Sequence, residues 1–180
     1  MAGAADRARH AVLQVGDLPG PDWQAVPASA PDDEPAEVGP DLDACLSGFP
    51  EEDVAASAES DRFVRDSALA WSTTWVLTSP AAAEGALARL SDPGFVACFV
   101  DAVVADVDPE QGAAELLGHV QDGSRARLTA AAPDGLVVIH LDLLALREGS
   151  AVALLVLADS PDPLADGAAV AARVRARLAG

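Results

Sequence analysis

The spacing of apolar residues changes along the chain from helical to alternating, and each pattern predicts a different element. Four apolar residues near the N-terminus fall at helical spacing and predict a short helix over 7–15: Ala8, Ala11, Val12 and Val15. Residues 23–26 predict a brief strand, and residues 41–47 predict one or two helical turns. Between them, residues 27–40 are rich in Pro, Ala, Asp and Glu without apolar periodicity, which predicts an acidic surface loop.

The middle of the chain predicts two strands followed by two helices. Strands are predicted over 59–66 and 67–77, and five residues of the second share one face: Leu69, Trp71, Thr73, Trp75 and Leu77. Ser79 suits a helix N-cap with Pro80 at the first helical position, so an Ala-rich helix is predicted to about Leu90. After Pro93, an apolar stripe predicts a second helix through Phe95, Cys98, Phe99 and Ala102.

The last third of the chain predicts an antiparallel meander and a terminal helix. Strands are predicted over 115–120, 125–131, 136–146 and 151–157, and a helix over 162–178. The turns between the strands are too short for parallel crossovers, so the four strands are expected to pair consecutively and antiparallel. Four residues are expected to be buried beneath helices: Val137, Ile139, Leu141 and Leu143. The fold class is α+β, a twisted antiparallel sheet flanked by helices, in a single domain over residues 1–180.

The charge of the chain limits its partners. There are 29 acidic and 11 basic residues, every basic one an arginine, for a net charge of -18. This field opposes nucleic acid and anionic lipid. Eleven acidic residues and no basic one lie from Asp32 to Asp61, which indicates either a solvated surface or a face that attracts a cationic partner. The second interpretation assigns binding to Asp32, Asp33, Glu34 and Glu37.

The sequence also bears on localisation. No segment has the roughly 18 uninterrupted apolar residues that a membrane-spanning helix needs, and the longest candidate, residues 136–146, contains His140 and Asp142. No apolar run of signal-peptide length follows Arg7 and Arg9. We expect a cytoplasmic protein from the sequence as written, with an extracytoplasmic location as the alternative if a leader was removed. The absence of Lys, Tyr and Asn indicates a GC-rich genome of actinobacterial type.

Three segments together resemble a known family. They are residues 15–23 (VGDLPGPDW), Cys45 in its short helix, and residues 91–98 (SDPGFVAC). This arrangement resembles the actinobacterial sensor-type domains related to mycobacterial lipoproteins and to the extracellular domains of mycobacterial Ser/Thr kinases. The resemblance implies a PsbP-like fold, a pairing of Cys45 with Cys98, and a binding or sensing role with no known reaction. Family members are secreted or membrane-anchored, and no leader or anchor is apparent in this sequence.

The cysteines and histidines carry no motif for metal or redox chemistry. Cys45 and Cys98 are the only cysteines. In an oxidising compartment their pairing would close a loop of about 50 residues and stabilise the fold by about 4 kcal/mol, whereas in a cytoplasm they would be buried thiols. His10, His119 and His140 lack metal-binding spacing, and no Gly-rich phosphate loop is present, so neither a metal nor a cofactor is expected.

Two groups of side chains are candidate sites, each with a plainer interpretation. Trp23, Trp71 and Trp75 could line a cleft for a lipid or hydrophobic peptide, or they could simply be bulky members of the core. His140 and Asp142 share a strand face and could act as a base and its orienting carboxylate. The plainer interpretation of this pair is the polar face of a half-exposed strand.

The leading hypothesis is a non-catalytic binding or sensor-like domain that recognises a protein or a small hydrophobic ligand. It follows from the resemblance and from the absence of a hydrolase motif such as Gly-x-Ser-x-Gly. One alternative is a cytoplasmic, acidic accessory subunit that docks a basic partner. The other is a small α+β enzyme using His140 and Asp142, which a pocket bounded by both side chains would favour. The oligomeric state is left open.

Overall fold

The computed structural model describes residues 3–27, 42–107, 112–132 and 135–180. In chain order its elements are α1 (Ala4–Ala11), a 3-10 turn (Val15–Asp17), β1 (Gln24–Val26), α2 (Leu42–Cys45), a 3-10 turn (Glu51–Asp53), β2 (Val54–Glu59), β3 (Arg62–Arg65), β4 (Ala68–Leu77), α3 (Pro80–Leu90), α4 (Pro93–Val107), β5 (Ala113–Val120), β6 (Gly123–Ala132), β7 (Gly135–Glu148), β8 (Ala151–Asp159) and α5 (Gly167–Leu178). The acidic loop predicted over 27–40 lies outside the described residues apart from Pro27, and so do Asp32, Asp33, Glu34 and Glu37.

The described strands form one eight-stranded antiparallel sheet. Its order is β1-β3-β4-β8-β7-β6-β5, with β2 pairing to the second half of β4. The four late strands are consecutive antiparallel neighbours, as predicted from their short turns. The sheet is completed by a long-range pairing of β4 with β8, in which Trp71 lies opposite Val156.

Helices cover both faces of the sheet and divide the core into two. On one face α2, α3 and α4 pack on Trp75, Leu141 and their neighbours. On the other face, α1 and α5 pack on Phe63, Leu155 and the apolar residues around them. Because both faces of the central strands are covered, β8 is buried from Ala151 to Ala158 and is continuously apolar instead of alternating. The predicted α+β class, with an antiparallel sheet flanked by helices, is confirmed.

Several predicted boundaries were wrong for local reasons. The helix predicted over 7–15 ends at Ala11, because the backbone of Val12 is extended. The strand predicted over 59–66 falls across two strands, since it is interrupted at Ser60 and Asp61, where the register against β4 shifts by one residue. The terminal helix begins at Gly167 and not at 162, as the preceding residues include Pro163, and proline disfavours the helical conformation of the residue before it.

One burial prediction was also wrong. Leu141 and Leu143 are buried and Ile139 is half-buried, but Val137 is 37% exposed. Burial along β7 rises from exposed at its first residues to buried from Leu141 onward. The first part of β7 therefore extends beyond the cover of the helices.

The two cysteines link α2 to α4. Cys45 and Cys98 form a disulfide with their Cα atoms 5.7 Å apart, which confirms the pairing that the resemblance implies. Arg89 of α3 also holds the end of α2 by donating hydrogen bonds to the carbonyl oxygens of Cys45 (2.9 Å) and Ser47 (2.6 Å).

None of the helices in the described ranges is both long and apolar enough to cross a membrane.

Candidate functional site

An open groove of about 580 Å³ lies beside edge strand β1. Its walls come from the end of α1, the following 3-10 turn, β1, and the bend between β2 and β3. Leu13 and Phe63 are buried in it, while Val15 is 52% exposed at its rim. We call it the β1 groove, and its lining residues are Arg9, Val12, Leu13, Gln14, Val15, Trp23, Ala25, Glu59, Ser60, Asp61 and Phe63.

A tight turn places Trp23 in the β1 groove. Gly20 has φ +77°, a conformation that glycine adopts without strain, and a Cβ there would lie 2.8 Å from a guanidinium nitrogen of Arg65. The Trp23 indole N–H donates to the carbonyl oxygen of Pro19 at 3.0 Å. The Arg65 guanidinium donates to the same oxygen at 2.5 Å and lies 4.6 Å from the centre of the indole ring. The indole is thus held by a hydrogen bond and a cation–π contact.

Two buried serines tie the floor of the groove to the centre of the sheet. The Ser72 hydroxyl oxygen accepts the backbone N–H of Leu13 at 2.7 Å. The backbone N–H of Ser72 donates to the Ser60 hydroxyl oxygen at 2.9 Å, and the Ser60 hydroxyl donates to the carbonyl oxygen of Asp61 at 2.7 Å. Because buried polar groups are costly unless bonded, these contacts determine where the N-terminal segment and the bend after β2 can lie.

A buried ion pair holds the 3-10 turn of the groove against α5. Arg177 forms two hydrogen bonds with the Asp17 carboxylate, one of them 2.6 Å long, and donates to the carbonyl oxygen of Val12 at 2.9 Å. Asp17 also accepts the backbone N–H of Gln14 at 2.8 Å, and Arg173 donates to the Asp17 carbonyl oxygen. This cluster, which we call the Asp17 clasp, joins the N-terminal segment to the last helix of the chain.

The rim of the groove carries more negative than positive charge. Glu59 and Asp61 are both exposed at the bend between β2 and β3, and neither belongs to an ion pair in the part of the chain that the structure describes. Arg9, which also lines the groove, is paired with Asp6 at 2.6 Å. Among the charged residues that line the groove, those left without an ion-pair partner are therefore negative.

A second depression of about 420 Å³ lies across the β1–β3 ribbon from the groove. It is lined by Asp22, Gln24, Val64, Arg65 and Asp66. Successive strand residues point to opposite faces, so β1 directs Ala25 into the groove and Gln24 into this second depression.

The three tryptophans do not line one cleft, which corrects that hypothesis. Trp75 is buried in the core beneath α3 and α4 and the half-buried Trp71 packs against that core, whereas Trp23 packs against the core on the opposite face of the sheet. The Trp75 ring lies 5.0 Å from that of Phe49, and the Trp71 ring 6.4 Å from that of Phe99. Of the three indoles, the structure brings only Trp23 to the β1 groove.

His140 and Asp142 share a face of β7, but Asp142 is engaged elsewhere. Arg125 donates two hydrogen bonds to the buried Asp142 carboxylate, at 2.5 and 2.6 Å. The hydrogen bond with Asp142 raises the pKa of Arg125 above its ordinary value, and burial opposes this only in part. The Nδ1 atom of His140 is buried without a hydrogen-bond partner among the described residues. Neither residue lines the groove or the second depression.

The described residues contain no group of three or more His, Cys, Asp and Glu side chains arranged to hold a metal ion. Comparisons with known proteins add no assignment: neither a protein-family model nor a curated protein matches the chain.

Sequence reasoning missed Ser60, Ser72 and the Asp17 clasp. One signal was available for Ser72, which lies with Thr73 and Thr74 in the middle of a predicted strand, since most buried hydroxyl groups have a hydrogen-bond partner. The clasp joins residues 160 positions apart, and local periodicity contains no information on such a contact.

Proposed function

We propose that this chain is a non-catalytic binding or sensor-like domain that takes a protein segment or a small hydrophobic ligand into the β1 groove. The observation that carries the proposal is the groove itself, an open volume of about 580 Å³ beside an edge strand. Its lining is mainly apolar, with polar groups at the rim, which is the usual character of a ligand site. Val12, Val15, Trp23 and Ala25 supply the accessible apolar surface, above the buried side chains of Leu13 and Phe63.

The groove is also pre-formed, which favours binding over simple packing. The serine hydrogen bonds hold its floor and the Asp17 clasp holds one wall, so the described contacts support the open shape without a ligand. A pre-formed site avoids much of the entropy cost of ordering loops on binding.

Binding of a neutral apolar fluorophore, N-phenyl-1-naphthylamine, tests this proposal. Val15→Asp places a carboxylate at the rim, where an apolar ligand would desolvate it, and we expect affinity to fall about tenfold. Leu136→Asp is the matched control, because Leu136 is 76% exposed on β7 and lies outside the groove. Fluorescence titration should show affinity within about twofold of wild type for the control. Equal affinity of all three proteins would contradict the proposal.

A second candidate function is an acidic accessory subunit that docks a basic partner. It is favoured by the use of arginines within the fold: in the described residues, six carboxylates pair with Arg9, Arg89, Arg125, Arg127, Arg175 and Arg177. Each of these arginines is neutralised by a nearby carboxylate. The net charge of -18 therefore comes from the carboxylates outside these pairs, which are available to attract a basic partner. Association rates with a basic partner should fall steeply with added salt under this function.

We also propose that the protein works in an oxidising compartment. The Cys45–Cys98 disulfide supports this, because such bridges persist outside the reducing cytosol. This favours the extracytoplasmic alternative and agrees with the resemblance to actinobacterial sensor-type domains. Mass spectrometry of the native protein, alkylated before reduction, tests the proposal: two free thiols would contradict it.

A further inference from the structure

Strand β1 has an open edge. It pairs with β3 on one side, and no strand flanks its other side in the ranges that the structure describes. All three of its residues, Gln24, Ala25 and Val26, are exposed. An unpaired strand edge offers backbone N–H and C=O groups that an extended peptide can pair with as an additional strand.

The open edge lies between the two depressions already described. Side chains of a strand alternate between faces, so a strand added to β1 would direct alternate residues toward the β1 groove and toward the second depression. The groove side offers accessible apolar surface at Val15, Trp23 and Ala25. The opposite side is more polar and includes Asp22 and Asp66.

The charges around this edge are complementary to a cationic segment. Glu59 and Asp61 are exposed on the groove side, and Asp22 and Asp66 on the other side. None of the four forms an ion pair within the described parts of the chain. Both arginines of β3 are turned onto aromatic rings: Arg65 onto the Trp23 indole and the carbonyl oxygen of Pro19, and Arg62, which lies opposite Val26, onto the Trp71 ring at 5.6 Å. Unpaired carboxylates on both faces favour a partner that carries positive charge.

We propose that the occupant of the β1 groove is an extended, cationic peptide segment of a partner protein, which adds to β1 as a strand. Its apolar residues enter the groove, and its lysine or arginine residues meet the carboxylates around the edge. This inference rests on the proposed function, because it assigns the class of ligand to the same groove.

A short synthetic peptide that alternates arginine and leucine, with blocked ends, is the probe. Fluorescence anisotropy of the labelled peptide measures its affinity for the full chain. Three comparison peptides separate the contributions of charge, apolar contact and strand pairing to the affinity. One replaces arginine by glutamate, one replaces leucine by serine, and one carries a methyl group on every backbone amide. We expect each to bind at least about tenfold more weakly, because each removes charge, apolar contact or strand pairing.

Variants of the protein locate the site. Glu59→Gln with Asp61→Asn should weaken the arginine–leucine peptide about threefold to tenfold at low salt, and this difference should shrink as salt rises. The matched control neutralises two exposed carboxylates on the helices of the opposite face, Glu84→Gln with Asp101→Asn, and should leave affinity within about twofold of wild type.

The outcomes separate this inference from the proposed function. If the methylated peptide binds as tightly as its parent, strand addition is wrong. If the arginine–leucine peptide fails to bind while N-phenyl-1-naphthylamine binds and loses affinity in Val15→Asp, the groove is a ligand site and the peptide inference is overturned. If neither probe binds, both proposals are overturned.

Discussion

Replacing Arg177 by methionine should be among the most destabilising single changes in this protein. The Arg177 side chain is 17% exposed and that of Asp17 7% exposed, so the ion pair lies largely out of water. Arg177→Met keeps much of the side-chain volume but leaves the Asp17 carboxylate buried without its charge partner. Loss of one member of a buried pair costs about 3–5 kcal/mol, because the remaining charge is desolvated and uncompensated.

Urea unfolding followed by far-UV circular dichroism measures this loss. The midpoint should fall while the slope of free energy against urea stays unchanged, since the surface exposed on unfolding hardly differs. Arg9→Met is the matched control, because the Arg9–Asp6 pair has side chains 66% and 63% exposed, and exposed pairs contribute at most about 1 kcal/mol. A loss in Arg177→Met no larger than that in Arg9→Met would refute the assignment of the Asp17 clasp as a stabilising contact.

Further predictions concern the disulfide, the groove floor and β6. Cys45→Ser opens a loop of 53 residues and should cost about 4 kcal/mol in urea unfolding without reductant. Ser72→Ala leaves a buried N–H unpaired and should cost about 1–3 kcal/mol, whereas Thr74→Val, whose hydroxyl has no partner in the described residues, should be neutral or slightly stabilising. Arg125→Met should cost about 1–3 kcal/mol, less than Arg177→Met, because the Arg125 side chain is 31% exposed and water can reach the site that it leaves. The raised pKa keeps Arg125 charged at neutral and mildly alkaline pH. The stability lost in Arg125→Met should therefore be the same at about pH 6 and at about pH 10.

The parts of the fold that the sequence predicted are those decided by local signals. The turns at Asp122-Gly123 and around Gly149 are short enough to require antiparallel neighbours, so the late meander follows directly. The N-cap at Ser79 is equally local, and its hydroxyl oxygen accepts the backbone N–H of Ala82 at 3.1 Å. By contrast, the pairing of β4 with β8 joins strands that are distant in sequence, and no turn specifies it.

The candidate site was only partly predictable for the same reason. Trp23 was identified, but it was grouped with Trp71 and Trp75 because all three are indoles, although the sheet separates their cores. Period-two alternation places Trp71 and Trp75 on one face of β4. It does not indicate against which face of the sheet Trp23, which precedes β1, will pack. The exposure of Val137 depends on how far the helices reach along β7, and that is a tertiary property.

Mapping of backbone amides by nuclear magnetic resonance tests the central claim most directly. On titration of the isotope-labelled protein with N-phenyl-1-naphthylamine, the largest shifts should fall on the groove residues Leu13, Val15, Ala25 and Phe63, and they should weaken in Val15→Asp. Shifts centred instead on Trp71 and the helices that cover it, or groove amides that do not shift at saturating fluorophore, would contradict ligand binding in the β1 groove.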